Sequence, residues 1–477
     1  MPVDQLKLSP ESKNVLSDDL FDVVVVGAGV VGCAVARKFV LEGAKVAVVE
    51  KASDILDGAS KANSAILHTG FDAPSGSLEL ECIRAGFQEY EDIRRDLGLV
   101  QEKSGAFVVA WTSEEMDALA GIEDHARENG IMDVHVVSAD ALKAVEPNLN
   151  KRLKGAVSVP QESIIDPWSA PHAYLQQALE NGAQVFLACQ VSKGVFDGQS
   201  WRLKTSKGSL CARVVINCAG LFGDYLDRDV LGDTQFQILP RKGQFVVFDK
   251  AASGLVNSVI LPVPTDKTKG VVLFRTVFGN LVVGPTAEDQ QSRTDARTDE
   301  KTLEALIDEG IDKLPALADM PVTAIYAGLR PASERKEYRI TPRLEKNWIT
   351  VGGIRSTGLS ASLGIARYVF GIYETFGANH TPIELPVAPK ANVLAQTCER
   401  DWQRAGHGEI VCHCELVTRR EIEAALEGPL AARSLGGLKR KTRAMMGRCQ
   451  GFYCAARLAE LTDGKLEPAL SERVVHG

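Results

Sequence analysis

Four cysteines near the carboxyl end of the chain have the residue type and spacing of a metal centre. They form two pairs, Cys412-x-Cys414 and Cys449-x4-Cys454. Four thiolates bind either a 2Fe–2S cluster or a structural zinc ion. Zinc sites usually have CxxC spacing, so this pattern is less typical of zinc. The spacing favours an iron–sulfur cluster, with zinc or unligated thiols as the alternatives.

A second chemical signature lies near the start of the chain, in the stretch DVVVVGAGVVGC. Gly27, Gly29 and Gly32 follow an apolar run as GxGxxG, and Glu50 ends the next apolar run. Such glycines allow a tight turn, a close approach of backbone to pyrophosphate, and close packing of helix on strand. An acid after the second strand accepts hydrogen bonds from ribose hydroxyls. The segment predicts a dinucleotide site, for either NAD or FAD.

A second glycine-rich loop, in ITVGGIRSTGLSASLGIARYV (Ile349–Val369), favours FAD over NAD. The pattern is again a strand, a turn and the start of a helix. It would place helix-start N–H groups near the carbonyl side of a flavin ring, where negative charge develops on reduction. Nicotinamide enzymes rarely return to such a loop so far along the chain.

These residues need a scaffold, and the hydrophobic pattern predicts one. Val23–Val26 and Val46–Val49 are β-branched runs typical of strands buried on both faces of a parallel sheet, with a helix between them at Val30–Leu41. Asp57–Phe71 is small and polar and suits a loop against a ligand. Further helices are predicted at Leu78–Leu97, Ser113–Asn129, Ala139–Val145, Pro171–Asn181, Thr298–Lys313 and Ser360–Phe376. Further strands are predicted at Ala106–Trp111, Val185–Ala188, Trp201–Thr205, Val214–Ala219, Gln244–Phe248, Val271–Phe274, Asn280–Val283, Thr323–Gly328 and Trp348–Val351.

The alternation of these elements predicts an α/β fold in three parts. We expect a Rossmann-like FAD-binding domain, an inserted antiparallel-sheet (α+β) substrate domain and a small helical four-cysteine domain. The FAD-binding domain is expected to be discontinuous and to comprise residues 20–75, 150–235 and 330–380. Residues 76–149 and 236–329 are assigned to the substrate or cap domain, 381–405 to a linker, and 406–462 to the 2Fe–2S domain.

Composition narrows the class of protein further. The chain has 477 residues, of which 45% are hydrophobic and 24% charged, and its net charge is −8. The acidic balance argues against a nucleic-acid binder. No apolar run approaches the roughly 20 residues that cross a bilayer. The first 20 residues are polar and lack a signal-peptide core. We expect a cytoplasmic protein, compatible with peripheral contact at the inner face of the membrane.

Several motifs resemble a known family. ANSAILHTG, VINCAG, RKGQFVVF, GNLVVGPTAED, GLRPASE and GGIRSTGLSAS occur in the order found in FAD-dependent glycerol-3-phosphate and 2-hydroxy-acid dehydrogenases of the D-amino-acid oxidase superfamily. The tail, with CHCELVTRREIEAAL and LKRKTRAMMGRCQGFYC, is similar to that of anaerobic glycerol-3-phosphate dehydrogenases, a bacterioferritin-associated-ferredoxin-like 2Fe–2S domain. The resemblance implies FAD, a two-domain flavoprotein fold and oxidation of a secondary alcohol beside an anionic group.

The resemblance also assigns cofactor residues. It gives the ADP half of FAD to Gly27, Ala28, Gly29, Gly32, Glu50 and Lys51, and the pyrophosphate and flavin to Ser60, Asn63 and Ser64. It places Val191 on the strand that meets adenine, Ala219 and Gly220 at a second flavin-site turn, and Gly353, Gly358, Leu359 and Ser360 in the loop over the flavin. The cluster ligands are Cys412, Cys414, Cys449 and Cys454.

Two residues are implied to contact the substrate. His68 could take the alcohol proton as hydride leaves carbon; a covalent link to flavin and a hydrogen-bonded core histidine are the alternatives. Arg330 matches the arginine that holds the substrate carboxylate or phosphate through two parallel hydrogen bonds, and a surface salt bridge is its alternative. Arg275 and Lys242 are weaker anion-site candidates, for which a solvated surface role is favoured.

The two redox groups together indicate a dehydrogenase and not a plain oxidase. Flavin accepts two electrons from the alcohol, and the cluster passes them singly to a quinone or a redox partner protein. The substrate expected is a small anionic hydroxy compound, with glycerol 3-phosphate first. A 2-hydroxyglutarate-type oxidoreductase and an amine or imino-acid oxidase are alternatives, and a non-catalytic flavin-binding electron-transfer subunit or scaffold is the non-enzyme one.

A basic segment in the tail remains to be explained. It could offset cluster charge, dock an anionic partner or form a solvated helix face, and the absence of an aromatic platform makes nucleic acid an improbable partner. Its members are Arg433, Lys439, Arg440, Lys441, Arg443 and Arg448.

Overall fold

The computed structural model describes residues 15–264 and 270–471, so the first fourteen residues of the polar amino-terminal stretch lie outside the described part. The strands in chain order are β1 (Val15–Val26), β2 (Val46–Val49), β3 (Ile66–Leu67), β4 (Gln101–Glu102), β5 (Ala106–Ala110), β6 (His135–Ser138), β7 (Gly155–Val159), β8 (Ser163–Ile165), β9 (Gln184–Phe186), β10 (Val191–Phe196), β11 (Trp201–Thr205), β12 (Gly208–Asn217), β13 (Arg241–Phe248), β14 (Val259–Pro262), β15 (Val272–Arg275), β16 (Leu281–Gly284), β17 (Glu288–Asp289), β18 (Val322–Arg330), β19 (Arg339–Arg343), β20 (Trp348–Gly352), β21 (Ile410–Cys412) and β22 (Val417–Thr418). The helices are α1 (Val30–Leu41), α2 (Leu78–Leu97), α3 (Ser113–Glu128), α4 (Ala139–Val145), α5 (Ser169–Glu180), α6 (Gly223–Leu231), α7 (Glu300–Lys313), α8 (Gly358–Glu374), α9 (Arg419–Ala425), α10 (Leu435–Thr442) and α11 (Ala455–Leu461).

The first sheet carries the dinucleotide motif. Its strands run in the order β10-β11-β12-β1-β2-β9, with β20 beside β12 and β19 beside β20. The central pairs are parallel, with Val23 opposite both Val46 and Val214. Every residue of Val46–Val49 is buried: Val46 and Val48 pack beneath α1, α5 and α8, and Ala47 and Val49 pack on the opposite face in a cluster that includes Trp201 and Leu226. The Rossmann-like fold class is confirmed.

The second sheet forms the other wall of the molecule. Its order is β17-β13-β16-β15-β14-β5-β7-β6, with β18 also paired to β13. Most pairs are antiparallel, as expected, but β14 and β5 run parallel. The short strands β3, β8 and β4 form a small separate sheet.

Tertiary packing divides the chain differently from the sequence boundaries in two places. Helix α2, which the sequence assigned to the cap, packs on α8 of the first domain. The two helices approach closely at glycines: a Cβ on Gly86 would lie 2.2 Å from the Ser360 carbonyl oxygen, and a Cβ on Gly364 would lie 2.1 Å from that of Cys82. Strand β7, which the sequence assigned to the FAD domain, pairs with β5 in the second sheet. Amphipathic pattern alone does not say which sheet a helix or strand joins.

Residues 378–398, which carry no helix or strand, run along the first domain and lead to the tail. The N–H groups of Ile383 and Ala391 donate to the carbonyls of Leu41 and Leu97, which end α1 and α2. Beyond this segment, Thr418 and Glu421 form a capping box at the start of α9, a pattern of two residues three positions apart that is visible in the sequence. Within residues 15–264 and 270–471, none of the helices has the length and apolar character needed to cross a membrane.

Candidate functional site

A cavity of about 1030 Å³ lies between the two large sheets. It extends from the glycine turn after β1, past the loop Asp57–Ser64, to the ends of β18 and β20. Thirteen of the predicted cofactor residues line it: Gly27, Gly29, Glu50, Lys51, Ser60, Asn63, Ser64, Val191, Ala219, Gly220, Gly353, Gly358 and Leu359. The fold therefore brings most of the predicted cofactor residues to one continuous space.

The glycine turn is shaped by close contacts. Gly27 has φ +109°, and a Cβ there would lie 2.5 Å from the Cys218 carbonyl oxygen. A Cβ on Gly32 would lie 1.9 Å from the Gly27 oxygen, so only glycine lets α1 approach β1. Gly29 is the N-cap residue of α1 and has no side chain to cap the helix. The Val30 N–H donates to Ser60 Oγ at 3.0 Å. This open helix start faces the cavity and suits an anionic pyrophosphate.

Glu50 sits beneath the turn. Its carboxylate accepts the N–H groups of Ala28 and Ala52 at 2.7 and 2.8 Å. Burial raises the pKa of Glu50, opposed by these two hydrogen bonds. Lys51 Nζ lies 3.3 Å from the centre of the Phe222 ring, a cation–π contact that holds the side chain at the cavity wall.

Three predicted cofactor residues lie behind the lining. Ala28 and Gly32 shape the turn, as described above. Ser360 is buried in the first turn of α8, accepts the His68 N–H at 2.8 Å and donates to the Ile66 carbonyl at 3.2 Å. Ser360 thus fixes β3 to α8 and positions the backbone of His68.

The second glycine loop leaves the start of α8 open. Thr357 precedes the helix without capping it, because its hydroxyl pairs with Tyr338 and Glu79 at 2.7 Å each. Gly353 has φ +64°, and Gly358 and Leu359 line the cavity. The helix start beside the cavity therefore has backbone N–H groups without a side-chain cap, and such groups are suited to stabilising negative charge on a reduced flavin.

His68 lines the cavity and is held by an acid that the sequence did not suggest. Its Nδ1 lies 2.8 Å from Oε2 of Glu162, which is fully buried. The other oxygen of Glu162 accepts the N–H and hydroxyl of Thr69 at 2.7 and 2.9 Å. The pairing of β3 with β8 places Leu67 opposite Ser163 and so brings the two residues together. A carboxylate at Nδ1 favours the tautomer in which Nε2 is the basic nitrogen.

Arg330 ends β18 at the far side of the cavity. Its half-buried guanidinium donates to the Thr286 carbonyl at 3.2 and 3.3 Å. Gly243 makes room for it, since a Cβ there would lie 2.5 Å from Nη2. Burial, and then the nearby Arg241 and Arg355, lowers the pKa of Arg330 to about 10. Among the described residues no carboxylate forms an ion pair with Arg330, and its contacts with the Thr286 carbonyl leave guanidinium donors available.

The weaker anion candidates lie elsewhere. Arg275 pairs with Glu102 at 3.1 Å, and Lys242 pairs with Glu288 at 3.3 Å. Neither lines the cavity. Arg241 and Arg355, which do line it, were overlooked, although both lie within the family-like motifs RKGQFVVF and GGIRSTGLSAS. For Glu162 the local sequence VPQESII carries no comparable signal.

The four tail cysteines form two neighbouring pairs. Cys412 interacts with Cys454, and Cys414 with Cys449. The N–H groups of Tyr453, Gly451 and Phe452 point at the Cys449 sulfur, and the Tyr453 hydrogen bond contributes most to lowering the pKa of this thiol.

A glycine keeps the two cysteine pairs close. Gly447 permits this close approach, since a Cβ there would lie 2.3 Å from Cys414 Cβ. No three His, Cys, Asp or Glu side chains of the described chain are grouped around a single-ion site. Four converging thiols with N–H donors to sulfur are the donor set expected of a cluster.

The basic segment docks the tail on the rest of the chain. The Arg433 N–H donates to Asp54 Oδ1 at 3.0 Å, and Arg440 contacts the Ile55 carbonyl at 3.2 Å. On the other side, Arg448 pairs with Asp249 at 2.6 Å. The Arg433 and Ile55 contacts are hydrogen bonds and not ion pairs, whereas ion pairs within the described chain offset three of the six positive charges, with Arg440 on Asp57, Arg443 on Glu415 and Arg448 on Asp249.

These features define a class of protein, a flavin-dependent oxidoreductase with a second, thiolate-held redox centre. The chain belongs to the family described as FAD dependent oxidoreductase, whose model matches residues 22–371. Residues 410–463 match the BFD-like [2Fe-2S] binding domain. The protein thus binds FAD and a 2Fe–2S cluster; FAD takes up hydride, and the cluster carries single electrons.

Named relatives extend over nearly the whole chain. A glycerol 3-phosphate dehydrogenase of Caloramator mitchellensis is 32% identical over 462 residues, covering 95% of this chain and 96% of the relative. An anaerobic glycerol-3-phosphate dehydrogenase subunit of Escherichia coli (strain K12) is 26% identical, covering 92% of this chain and 87% of the relative. The FAD-bound, dithionite-reduced L-α-glycerophosphate oxidase of Mycoplasma pneumoniae aligns with TM-score 0.72 and 26% identity, covering 78% of this chain and 98% of that one.

Proposed function

We propose that the protein oxidises glycerol 3-phosphate to its ketone by hydride transfer to FAD and passes the electrons through its 2Fe–2S cluster to an acceptor. The observation that carries this proposal is Arg330, half-buried at the cavity wall near Arg241 and Arg355. Arg241 pairs with Asp289 at 3.4 Å, whereas Arg330 has no carboxylate partner among the described residues, so an anion bound in the cavity would offset its charge. A phosphate fits this requirement, and two of the relatives described above bear glycerol 3-phosphate in their names.

In this mechanism each residue has a defined task. Arg330 holds the phosphate through two charge-assisted hydrogen bonds and thereby orients the carbinol carbon. His68 accepts the hydroxyl proton at Nε2, and Glu162 stabilises the imidazolium that forms. The starts of α1 and α8 would hold the pyrophosphate and supply N–H donors for negative charge on the flavin, respectively. The cysteine residues Cys412, Cys414, Cys449 and Cys454 hold the cluster.

The acceptor is proposed to be a partner redox protein that approaches the cluster at an exposed aromatic pair. Phe452 and Tyr453 lie between two cluster ligands and are 83% and 75% exposed, with their rings 5.1 Å apart. Exposed aromatic side chains are enriched in protein interfaces and dominate their binding energy. A quinone that accepts electrons directly is the alternative. Replacement of both aromatic residues by serine is expected to slow reduction of a partner but not of a small dye.

An anaerobic absorption spectrum, with iron and acid-labile sulfide counts, tests the proposal. Glycerol 3-phosphate is expected to bleach the flavin, and the reduced cluster then gives an electron paramagnetic resonance (EPR) signal. Glycerol, which lacks the phosphate, and L-2-hydroxyglutarate, which carries carboxylates, serve as comparison substrates. Faster bleaching by L-2-hydroxyglutarate than by glycerol 3-phosphate would replace the proposed substrate. A holoprotein that no alcohol or amine bleaches would instead be an electron-transfer subunit.

A further inference from the structure

A run of packed side chains joins the flavin cavity to the cysteine centre. At the cavity end, Lys61 and Pro167 line the wall. The indole Nε1 of Trp168, the residue after Pro167, donates to the Lys61 carbonyl at 3.1 Å. The Asp166 carboxylate accepts the Trp168 N–H at 2.9 Å and so fixes the start of this run.

The run continues through three buried groups. The Trp168 and Phe278 rings are stacked, with centres 5.6 Å apart and planes inclined by 13°. The guanidinium carbon of Arg443 lies 4.0 Å from the centre of the Phe278 ring. Arg443 Nε donates to Glu415 Oε2 at 2.8 Å, and Glu415 directly follows the ligand Cys414. Phe278, Arg443 and Glu415 are at most 4% exposed.

Three separate parts of the chain supply these groups. Trp168 precedes α5, Phe278 lies between β15 and β16, and Arg443 follows α10 in the tail. Arg443 adopts φ +64°, a left-handed conformation that is unfavourable for a non-glycine residue. The fold therefore tolerates backbone strain at Arg443, the residue that connects the tail to the stacked rings of Trp168 and Phe278.

We propose that the run Trp168–Phe278–Arg443–Glu415 is the path by which electrons pass from the flavin to the cluster. The inference rests on the proposed function, since it requires a flavin reduced by substrate. Electron transfer through protein is faster across contacting atoms than across gaps, and here each group of the run contacts the next. Oxidation of one alcohol to a ketone supplies two electrons as hydride and one proton to a base. The cluster takes one electron at a time, so each turnover uses the path twice and ends on an acceptor protein or quinone.

The same contacts would also be present if the stack only docked the tail. Two pairs of variants separate the roles. Trp168→Leu removes the stacked ring, whereas Trp168→Phe keeps one. Phe278→Leu removes the second ring, and Phe274→Leu removes a phenyl group that is equally buried in the same core but lies outside the run.

The measurement is a single reduction of holoprotein without oxygen, followed by flavin absorbance and freeze-quenched EPR of the cluster. We expect Trp168→Leu and Phe278→Leu to slow cluster reduction on the order of tenfold, because a gap replaces packed atoms. Flavin bleaching, iron and sulfide counts, and the EPR line shape after direct reduction with dithionite should match the wild type. Trp168→Phe and Phe274→Leu should transfer electrons at close to the wild-type rate.

Wild-type transfer rates in Trp168→Leu with an intact cluster would overturn the proposal, as would equal slowing in Phe274→Leu. If Phe278→Leu fails to hold its cluster, the Trp168 pair decides the question. Photoreduction of the flavin with EDTA as electron donor gives the same readout without any substrate. The path is therefore tested even if glycerol 3-phosphate does not bleach the flavin, an outcome that would contradict only the proposed function.

Discussion

Replacing Arg330 by glutamine tests the substrate assignment most directly. The variant keeps a hydrogen-bonding side chain of similar reach but removes the charge. In the wild type, burial and two neighbouring arginines already lower the pKa of Arg330 to about 10, so the group is still charged at neutral pH. The guanidinium spends part of its hydrogen-bonding capacity on Thr286 and has donors left for a ligand.

The size of the effect follows from this setting. Removing one partner of a buried, charge-assisted pair costs about 2–5 kcal/mol. Arg241 and Arg355 remain near the phosphate, so we expect a loss near the lower part of this range, about 3 kcal/mol. At about 1.4 kcal/mol per factor of ten, kcat/KM for glycerol 3-phosphate should fall on the order of a hundredfold.

The assay is anaerobic flavin bleaching as a function of glycerol 3-phosphate concentration, for wild type, Arg330→Gln and Arg330→Lys. Lysine keeps the charge but not the planar pair of donors, so its activity should lie between the other two. Glycerol controls for general damage, because it has no phosphate for Arg330 to bind. An unchanged concentration dependence in Arg330→Gln, or an equal loss with glycerol, would refute the assignment of Arg330 to the substrate phosphate.

Three further variants test other contacts. Glu162→Gln should slow flavin bleaching by glycerol 3-phosphate on the order of a hundredfold while FAD content stays normal, because His68 loses the carboxylate that stabilises its imidazolium. Stopped-flow absorbance measures the bleaching rate. An unchanged rate would argue against His68 as the base. Burial raises the pKa of Asp227 to about 6 from 3.8, so the folded state binds this proton more tightly than the unfolded chain, and the contribution to stability is lost as the pH rises. Relative to Asp227→Asn, the wild type should therefore lose up to about 3 kcal/mol of unfolding free energy between about pH 4 and about pH 7, as urea titrations would show; a constant difference would contradict this. Gly447→Ala places a Cβ 2.3 Å from Cys414 Cβ and should lower the iron and sulfide content without loss of FAD, and a full cluster in this variant would show that the two segments have room to separate.

The sequence determined those features that depend on neighbouring residues. Helix α1 and strand β2 were predicted to their ends, and β1 was predicted to its last residue but not to its start, which lies at Val15 and not at Val23. The local signals are an apolar run, three spaced glycines and a terminal acid, all within about 30 neighbouring residues. The capping box at Thr418 and the cysteine pairs are equally local. With the family-like motifs, these patterns were sufficient for the fold class, FAD and the cluster.

Tertiary structure decided which distant residues meet. Glu162 lies 94 residues from His68, and only the pairing of β3 with β8 brings them into contact. Arg241 and Arg330 converge because β13 and β18 pair there, and no local pattern marks such a register. The basic tail segment likewise looked free in the sequence but is used in docking. A run of basic residues reads the same in the sequence whether its side chains are solvated or paired with acids of another segment. Only the packing of the whole chain distinguishes a solvated segment from a docked one.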